Sequence, residues 1–201
     1  MKPVLSVLVL VIASVIVFPQ ESQSSAYTTI TPGKGIEGLE VGATKIEAVI
    51  EALGDDYELL VHKNYSHEFS YPSLGVSFWV CQKGFSKGIF SAEFRYPYPG
   101  ETKDGIRIGV TTLGEVVERL GEPESTYSFN NSFGYDGIQF HYGDWYLEHS
   151  LSEKQIRAKK ILTITVFEPG GVRQCESSPD GKYSSVDFEV TTSSVTTTIN
   201  D

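Results

Sequence analysis

Hydrophobic residues change their spacing in the same way twice along the chain. Residues 46–53 carry apolar side chains at the three- and four-residue steps of one helical face, and residues 113–120 repeat that pattern. After each predicted helix the pattern alternates between apolar and polar, as in a half-buried strand. These alternating segments are residues 74–80, 89–96, 135–142 and 161–167, with further strands expected near 58–62 and 125–129.

The two helical segments also share their residue types. Residues 38–54 and 105–121 both read G-[LI]-x-[VI]-G-x-T-x-[IL]-x-x-[VI]-[VI]-x-x-L-G without a gap. Such self-similarity indicates a repeated structural unit. The sequence therefore predicts an α+β protein of two tandem units, residues 27–103 and 104–171. Each unit is expected to hold one or two short helices followed by about three antiparallel strands.

The repeated threonine of each segment is the expected start of its helix. Thr44 and Thr111 are predicted N-caps, since a threonine hydroxyl can accept a hydrogen bond from the first helical turn. Glu47 completes a capping box in the first copy, whereas Gly114 stands at that place in the second. We therefore expect a capping box in the first helix alone, and a glycine closing each helix.

The N-terminal residues 1–26 have the pattern of a secretory signal peptide. Lys2 supplies a positive charge, residues 4–18 form an uncharged apolar run, and Ser24 and Ala26 stand at the spacing that a signal peptidase requires. This predicts cleavage after Ala26 and a mature protein in the periplasm, the cell envelope or the medium. The alternative is an uncleaved membrane anchor, but the run is shorter than the ~20 residues that a spanning helix needs.

Amino-acid composition limits the kinds of partner that we expect and indicates the character of the C-terminal residues. The formal net charge of -10 disfavours nucleic acid and anionic lipid surfaces, so we expect no nucleic-acid partner and no stable membrane insertion after cleavage. Residues 172–201 are rich in serine and threonine, which predicts a mobile tail, although residues 186–190 could add an edge strand.

The chain contains two cysteines, Cys81 and Cys175. An oxidising compartment favours pairing, which makes them a candidate disulfide. The alternative is one buried thiol and one exposed thiol in the tail, because spacing alone does not show whether two Cβ atoms meet.

The second copy of the repeat resembles a known helix signature. It contains Gly109, Thr111, Val116 or Val117, Leu120, Gly121 and Pro123. This string is similar to the helix of the BamE-like, or SmpA/OmlA, family of bacterial envelope proteins. Two copies in tandem also resemble the architecture of beta-lactamase inhibitor proteins. The resemblance spans about residues 35–171 and implies a periplasmic or extracellular protein-binding module without an activity. The chain departs from the lipidated envelope proteins, because it has no cysteine near the cleavage site.

Chemically reactive constellations are not evident in the sequence. The histidines are His62, His67, His141 and His149, and no cysteine or carboxylate cluster completes a metal-ligand set around them. No serine stands in a Gly-x-Ser-x-Gly string, and nothing singles out a carboxylate pair. We therefore predict no catalytic residue, no metal and no cofactor.

Aromatic residues outside the strand pattern are the binding candidates. Tyr96 and Tyr98 lie at the end of the first unit, and Tyr142, Trp145 and Tyr146 lie in a loop of the second. Aromatic side chains on loops are typical of contact surfaces. The sequence favours a non-enzymatic binding or envelope-associated protein that recognises a protein partner through an open sheet face and these loops. The alternatives are a small secreted hydrolase with an unmarked site and an inhibitor of a secreted enzyme.

Overall fold

A computed structural model describes residues 28–62, 66–81, 88–127, 131–143, 151–169 and 196–198. In these residues the chain is α+β, as predicted. The helices are α1 (Ile46–Leu53), α2 (Leu113–Leu120) and α3 (Glu153–Arg157). The strands are β1 (Thr29–Ile30), β2 (Gly35–Ile36), β3 (Leu39–Glu40), β4 (Glu58–Val61), β5 (Ser66–Tyr71), β6 (Val76–Cys81), β7 (Ser91–Arg95), β8 (Glu101–Thr102), β9 (Ser125–Tyr127), β10 (Ser132–Tyr135), β11 (Ile138–His141), β12 (Thr163–Phe167) and β13 (Thr196–Thr198).

Nine of these strands form one sheet in the order β13-β4-β5-β6-β7-β12-β11-β10-β9. Neighbouring strands pair antiparallel throughout, except that β13 pairs parallel with β4. The remaining strands form two small ladders, β1 with β8 and β2 with β3. Because β7 and β12 are neighbours, they join the strands that follow α1 to those that follow α2.

One face of the sheet is apolar and carries the helices. Its residues fall into two rows of cross-strand partners, one through Phe69, Phe78, Ala92, Val166 and Ile138, the other through Tyr71, Val76, Phe94, Ile164, Phe140 and Phe133. All of them are buried, and they form one core with the inward residues Ile46, Val49, Leu113, Val116 and Val117 of the helices. The predicted helical faces are therefore confirmed, and their burial is the main source of helix stability.

The predicted N-caps Thr44 and Thr111 are wrong. Each threonine instead closes the turn before its helix: the amide of Glu40 donates to Thr44 Oγ1 at 2.7 Å, and the amide of Arg107 donates to Thr111 Oγ1 at 2.9 Å. The helices therefore begin one residue later than predicted, with Lys45 and Thr112 at the N-cap positions.

This shift also reverses the capping-box prediction. Thr112 and Glu115 form a capping box in α2, in which the amide of Thr112 donates to Glu115 Oε2 at 2.7 Å. Lys45 makes no side-chain cap bond at α1. Counted from Lys45, the third helical position is Ala48 rather than Glu47, and alanine has no acceptor to offer.

Each of the first two helices ends at a glycine, as expected, and each end is bonded to the sheet. Gly54 and Gly121 have φ angles of 89° and 87°, a region that favours glycine. The hydroxyl of Tyr71 donates to Gly54 O at 3.1 Å, and the hydroxyl of Tyr135 donates to Gly121 O at 2.9 Å. These bonds fix the helix ends over strands β5 and β10.

The sequence pattern did not predict β5, β10 or the short α3. In β5 four of the six residues are polar, namely Ser66, His67, Glu68 and Ser70. In β10 the sequence is S-F-G-Y. The apolar alternation that marks a half-buried strand is therefore weak in both. Four strands of the large sheet, β4 to β7, therefore follow α1, and β9 to β12 follow α2 ahead of β13, where about three had been expected after each helix.

Some predictions fall outside the described residues. These are the signal peptide, the residues Cys175, His149, Trp145 and Tyr146, the suggested strand at 186–190, and the tail apart from Thr196–Thr198, which forms β13. Within the ranges that the structure describes, no helix is long and apolar enough to cross a membrane.

The capping box of α2 can be tested by substitution. Thr112→Ala removes the hydroxyl that accepts the amide of Glu115 and should lower the free energy of unfolding by about 1 kcal/mol. Lys45→Ala, at the uncapped position of α1, should change it by less than about 0.5 kcal/mol. Urea unfolding followed by circular dichroism measures both values, and equal losses would contradict this assignment of the caps.

Candidate functional site

The face of the sheet opposite the helices carries a row of polar and glycine positions that crosses the whole sheet, beside Leu60, Trp79 and Phe167 on the same face. One row of cross-strand partners runs through Glu58, Ser70, Ser77, Glu93, Thr165, Gln139, Gly134 and Ser125, and so crosses every antiparallel strand from β4 to β9. Side chains alternate between the two faces of a strand, which places this row opposite the apolar rows. We call this side of the sheet the polar face.

A charged cluster occupies the part of the polar face formed by β5, β6 and β7. Its centre is Glu68, whose side chain is 7% exposed and whose two oxygens are both engaged. Arg95 Nη2 donates to Glu68 Oε1 at 3.1 Å, and His62 Nε2 lies 3.2 Å from Glu68 Oε2. A buried carboxylate is costly unless it is paired in this way, so these contacts are required by its position.

Arg95 links the buried carboxylate to the serines of the polar row. Its Nη2 also donates to Ser77 Oγ at 2.6 Å, and Ser77 Oγ donates to Ser70 Oγ at 3.1 Å. The Arg95 side chain remains 44% exposed. The bonds to Glu68 and Ser77 therefore hold a guanidinium in a fixed position at the surface, where a further molecule can reach it.

An aromatic pair borders this cluster. The ring of His62 stacks on that of Trp79, with centroids 4.6 Å apart and an interplanar angle of 30°. Trp79 is the register partner of Glu68, so it lies on the polar face, where it is half-buried. The stacking restricts His62 to the side of Glu68.

Glu93 lies at the centre of the polar row, where β7 meets β12. Its carboxylate is 27% exposed and 3.7 Å from Arg95, beyond hydrogen-bond distance. Burial raises the pKa of Glu93, the positive charge of Arg95 opposes that rise, and the carboxylate of Glu68 adds to it. The carboxylate of Glu93 is therefore partly desolvated, and the nearby charge of Arg95 offsets only part of the cost of burying its negative charge.

A second surface lies at one end of the same strands. The exposed large hydrophobic residues of the described chain are Leu74, Tyr96, Val110 and Leu162, and we call them the strand-end patch. The amide of Arg95 donates to Gly75 O, which places the neighbouring Tyr96 beside Leu74. Arg95 is also the register partner of Thr163, so Tyr96 and Leu162 follow next in register.

Val110 completes the strand-end patch from the turn before α2. The residues on either side of it both bond to Ile161, through the amide of Gly109 to Ile161 O at 2.7 Å and the amide of Ile161 to Thr111 O at 2.9 Å. The turn that carries Val110 is therefore bonded to Ile161, the residue before Leu162. Exposed large hydrophobic residues that come from neighbouring segments of a fold are typical of an interaction site.

The aromatic binding candidates occupy different environments. Tyr96 is 85% exposed and belongs to the strand-end patch, whereas Tyr98 and Tyr142 are buried in the core. Tyr98 packs on Phe94 with a centroid distance of 4.8 Å, and Tyr142 meets Phe133 edge-on at 6.3 Å. Tyr98 and Tyr142 thus pack against core rings, and their predicted role in binding stays a prediction. Trp145 and Tyr146 lie outside the described residues.

The charged cluster itself was missed from the sequence, although a signal was present. Glu68, Glu93 and Arg95 all stand at the polar positions of alternating strands, in the strings S-H-E-F-S-Y and S-A-E-F-R. Charged residues at such positions face away from the core. Which of them meet depends on the pairing of β5, β6 and β7, and the alternation pattern does not contain that information.

The chemistry available on the polar face is hydrogen bonding and ion pairing. Ser77 is fully buried, and both oxygens of Glu68 are engaged, so neither presents a free nucleophile or base. Within the described ranges, no three histidine, cysteine, aspartate or glutamate side chains are grouped to hold a metal ion.

Comparison with known proteins adds no relative. The chain matches no family model, no curated protein and no solved structure.

The raised pKa of Glu93 predicts a pH-dependent effect on stability. Because the folded-state pKa lies above the ordinary value of 4.5, the charged form opposes folding, and this penalty is absent at lower pH and develops as the pH rises through the folded-state pKa. Glu93→Gln removes the penalty, so the Tm of the variant minus that of the wild type should be higher at pH 7 than at pH 4. Glu118→Gln, an exposed control on α2, should show no such trend. A difference that grows on acidification would contradict the prediction.

The predicted disulfide also bears on the polar face. Cys81 is half-buried at the end of β6, two positions beyond Trp79 and on the same side of the sheet. Its predicted partner Cys175 lies outside the described residues, so the pairing stays a prediction. Peptide mapping of the mature chain without reduction should find the two cysteine-containing peptides linked. Alkylation of both thiols without prior reduction would refute the bridge, and a Cys175→Ser variant should make Cys81 reactive.

Proposed function

We propose that this chain is an exported, non-enzymatic binding module that recognises a protein partner through the polar face and the strand-end patch. The observation that carries the proposal is that the two surfaces adjoin along the chain: Arg95 of the charged cluster directly precedes Tyr96 of the strand-end patch, and Thr163 of the polar face directly follows Leu162 of the patch. Protein interfaces combine apolar anchors with surrounding polar and charged groups in this way.

We also infer that the chain consists of two tandem units joined edge to edge. Equivalent residues make equivalent bonds: the amide of Gly42 donates to Ile89 O at 2.7 Å, as that of Gly109 donates to Ile161 O at 2.7 Å. The amide of Ile89 donates to Thr44 O at 2.8 Å, which matches the bond from Ile161 to Thr111. Under this inference the two units have the same strand order. Counted inward from one edge the strands are β4-β5-β6-β7, and counted inward from the other they are β9-β10-β11-β12.

The two units differ on the polar face while they agree in the core. Superposing the pattern of β5 and β6 on that of β10 and β11 matches core residues of the same kind: Phe69 with Phe133, Tyr71 with Tyr135, Val76 with Ile138 and Phe78 with Phe140. On the polar face it matches Glu68 with Ser132, Ser77 with Gln139 and Trp79 with His141. Fold stability accounts for the core residues, whereas the different polar residues suit a surface that has specialised for one ligand.

The rival hydrolase function has less support. A general acid or base must have a proton-transfer position free for substrate, and both oxygens of Glu68 are already bonded to Arg95 and His62. Inhibition of a secreted enzyme is a particular form of the proposed binding function, and the architectural resemblance to beta-lactamase inhibitor proteins supports it. The resemblance to BamE-like proteins supports an envelope location equally well.

Capture with matched variants tests the proposed function. The bait is the tagged chain from residue 27 onward, exposed to the native envelope fraction and to the culture medium. The wild type should retain a specific protein, and Tyr96→Ser with Leu162→Ser should reduce its recovery by at least about tenfold, because two apolar anchors are lost. Glu118→Ser changes an exposed side chain on the outer side of α2 and is the matched control. This variant should still retain the captured protein. Recovery of no protein above an unrelated bait, or equal recovery with all variants, would overturn the proposal.

A further inference from the structure

We propose that the partner presents a basic side chain, a lysine or an arginine, to the carboxylate of Glu93. This inference rests on the proposed binding function and specifies the chemistry at the centre of the polar face. The position is central in both directions of the sheet: β7 is a middle strand, and Glu93 is the middle residue of β7. Hot-spot residues of interfaces cluster near the centre of the contact.

The Glu93 side chain is 27% exposed, so part of its carboxylate can be reached from outside the sheet. Its neighbours in the polar row are Ser77 and Thr165, whose side chains are both shorter than that of glutamate. On its own strand the polar-face neighbours are Ser91 and Arg95, and the latter is drawn toward Glu68 and Ser77. The carboxylate of Glu93 is therefore partly exposed and flanked by short side chains in its row, with Trp79 and Phe167 one row away on the same face.

The hydrogen bonding of Glu93 is incomplete, in contrast to that of Glu68. Glu68 receives a hydrogen bond from Arg95 and lies beside His62. Glu93 accepts no hydrogen bond from the described part of the chain, and its ionic contact there is the 3.7 Å approach to Arg95. A desolvated carboxylate without a donor is unfavourable, and a positively charged donor from a partner would relieve that cost.

Charge complementarity points to the same class of partner. The polar face carries the carboxylates of Glu58, Glu68 and Glu93 against the single guanidinium of Arg95 within its described residues, and His62, His141 and Cys81 also lie on it. The chain as a whole has a formal net charge of -10. A basic partner surface would be steered toward such a field, and a basic side chain at Glu93 would fix the register of docking.

The test uses a small cationic probe and does not require the partner. Nα-acetyl-arginine methylamide is titrated into the chain from residue 27 onward, while NMR follows the carboxyl carbons of Glu93 and Glu118 and the amide of Thr165. The Glu93 and Thr165 signals should shift and saturate, with a Kd at least about tenfold below that at exposed Glu118. Glu93→Gln should abolish the saturable shift of Thr165, and Glu118→Gln should leave it unchanged.

Several results would overturn the inference. These are equal responses of Glu93 and Glu118, shifts that do not saturate, and saturable binding of Nα-acetyl-glutamate methylamide beside Arg95 in place of the cationic probe.

The capture experiment distinguishes a failure of this inference from a failure of the proposed function. A captured protein whose recovery is unchanged by Glu93→Gln, together with no probe binding, overturns the inference alone. Saturable probe binding without any captured protein overturns the protein partner and leaves Glu93 as a cation site.

Discussion

Strands β7 and β12 pair antiparallel at the centre of the sheet, from Arg95 opposite Thr163 to Ser91 opposite Phe167. This pairing connects the strands that follow α1 with those that follow α2, and so converts two small sheets into one. The joined core and the centre of the polar face depend on it. It aligns the apolar rows into a single core, brings Glu93 to the middle of the polar face, and places Tyr96 beside Leu162. A slip by one residue would exchange the two faces of one half relative to the other.

The two faces of the sheet meet different physical demands. On the apolar face, large side chains are buried against the helices, and tyrosine hydroxyls of β5 and β10 bond the helix ends. On the polar face, burial is tolerated only where charges are compensated, as at Glu68. Glu93, beside it, is compensated less well. The polar face therefore contains both an ion-paired carboxylate and one whose burial is compensated less fully.

The turn before each helix couples local structure to the sheet. The hydroxyls of Thr44 and Thr111 accept the amides of Glu40 and Arg107, while the carbonyl groups of the same threonines accept amides from Ile89 and Ile161. In each copy the threonine thus closes the turn and also bonds that turn to the segment leading into β7 or β12. This explains why the threonine is present in both copies although it caps neither helix, and why a prediction from capping preferences alone was wrong by one position.

The sequence by itself determined the class of secondary structure, the helical faces, the glycine ends of the helices and six of the nine strands of the large sheet, because those depend on residue periodicity and on local conformational preference. It also contained the polar positions of Glu68, Glu93 and Arg95. Only the tertiary structure decided which of these meet, because their contacts cross from β5 to β7 and require the pairing register. It likewise separated exposed Tyr96 from buried Tyr98, two residues with the same local character, because burial depends on what packs over a side chain.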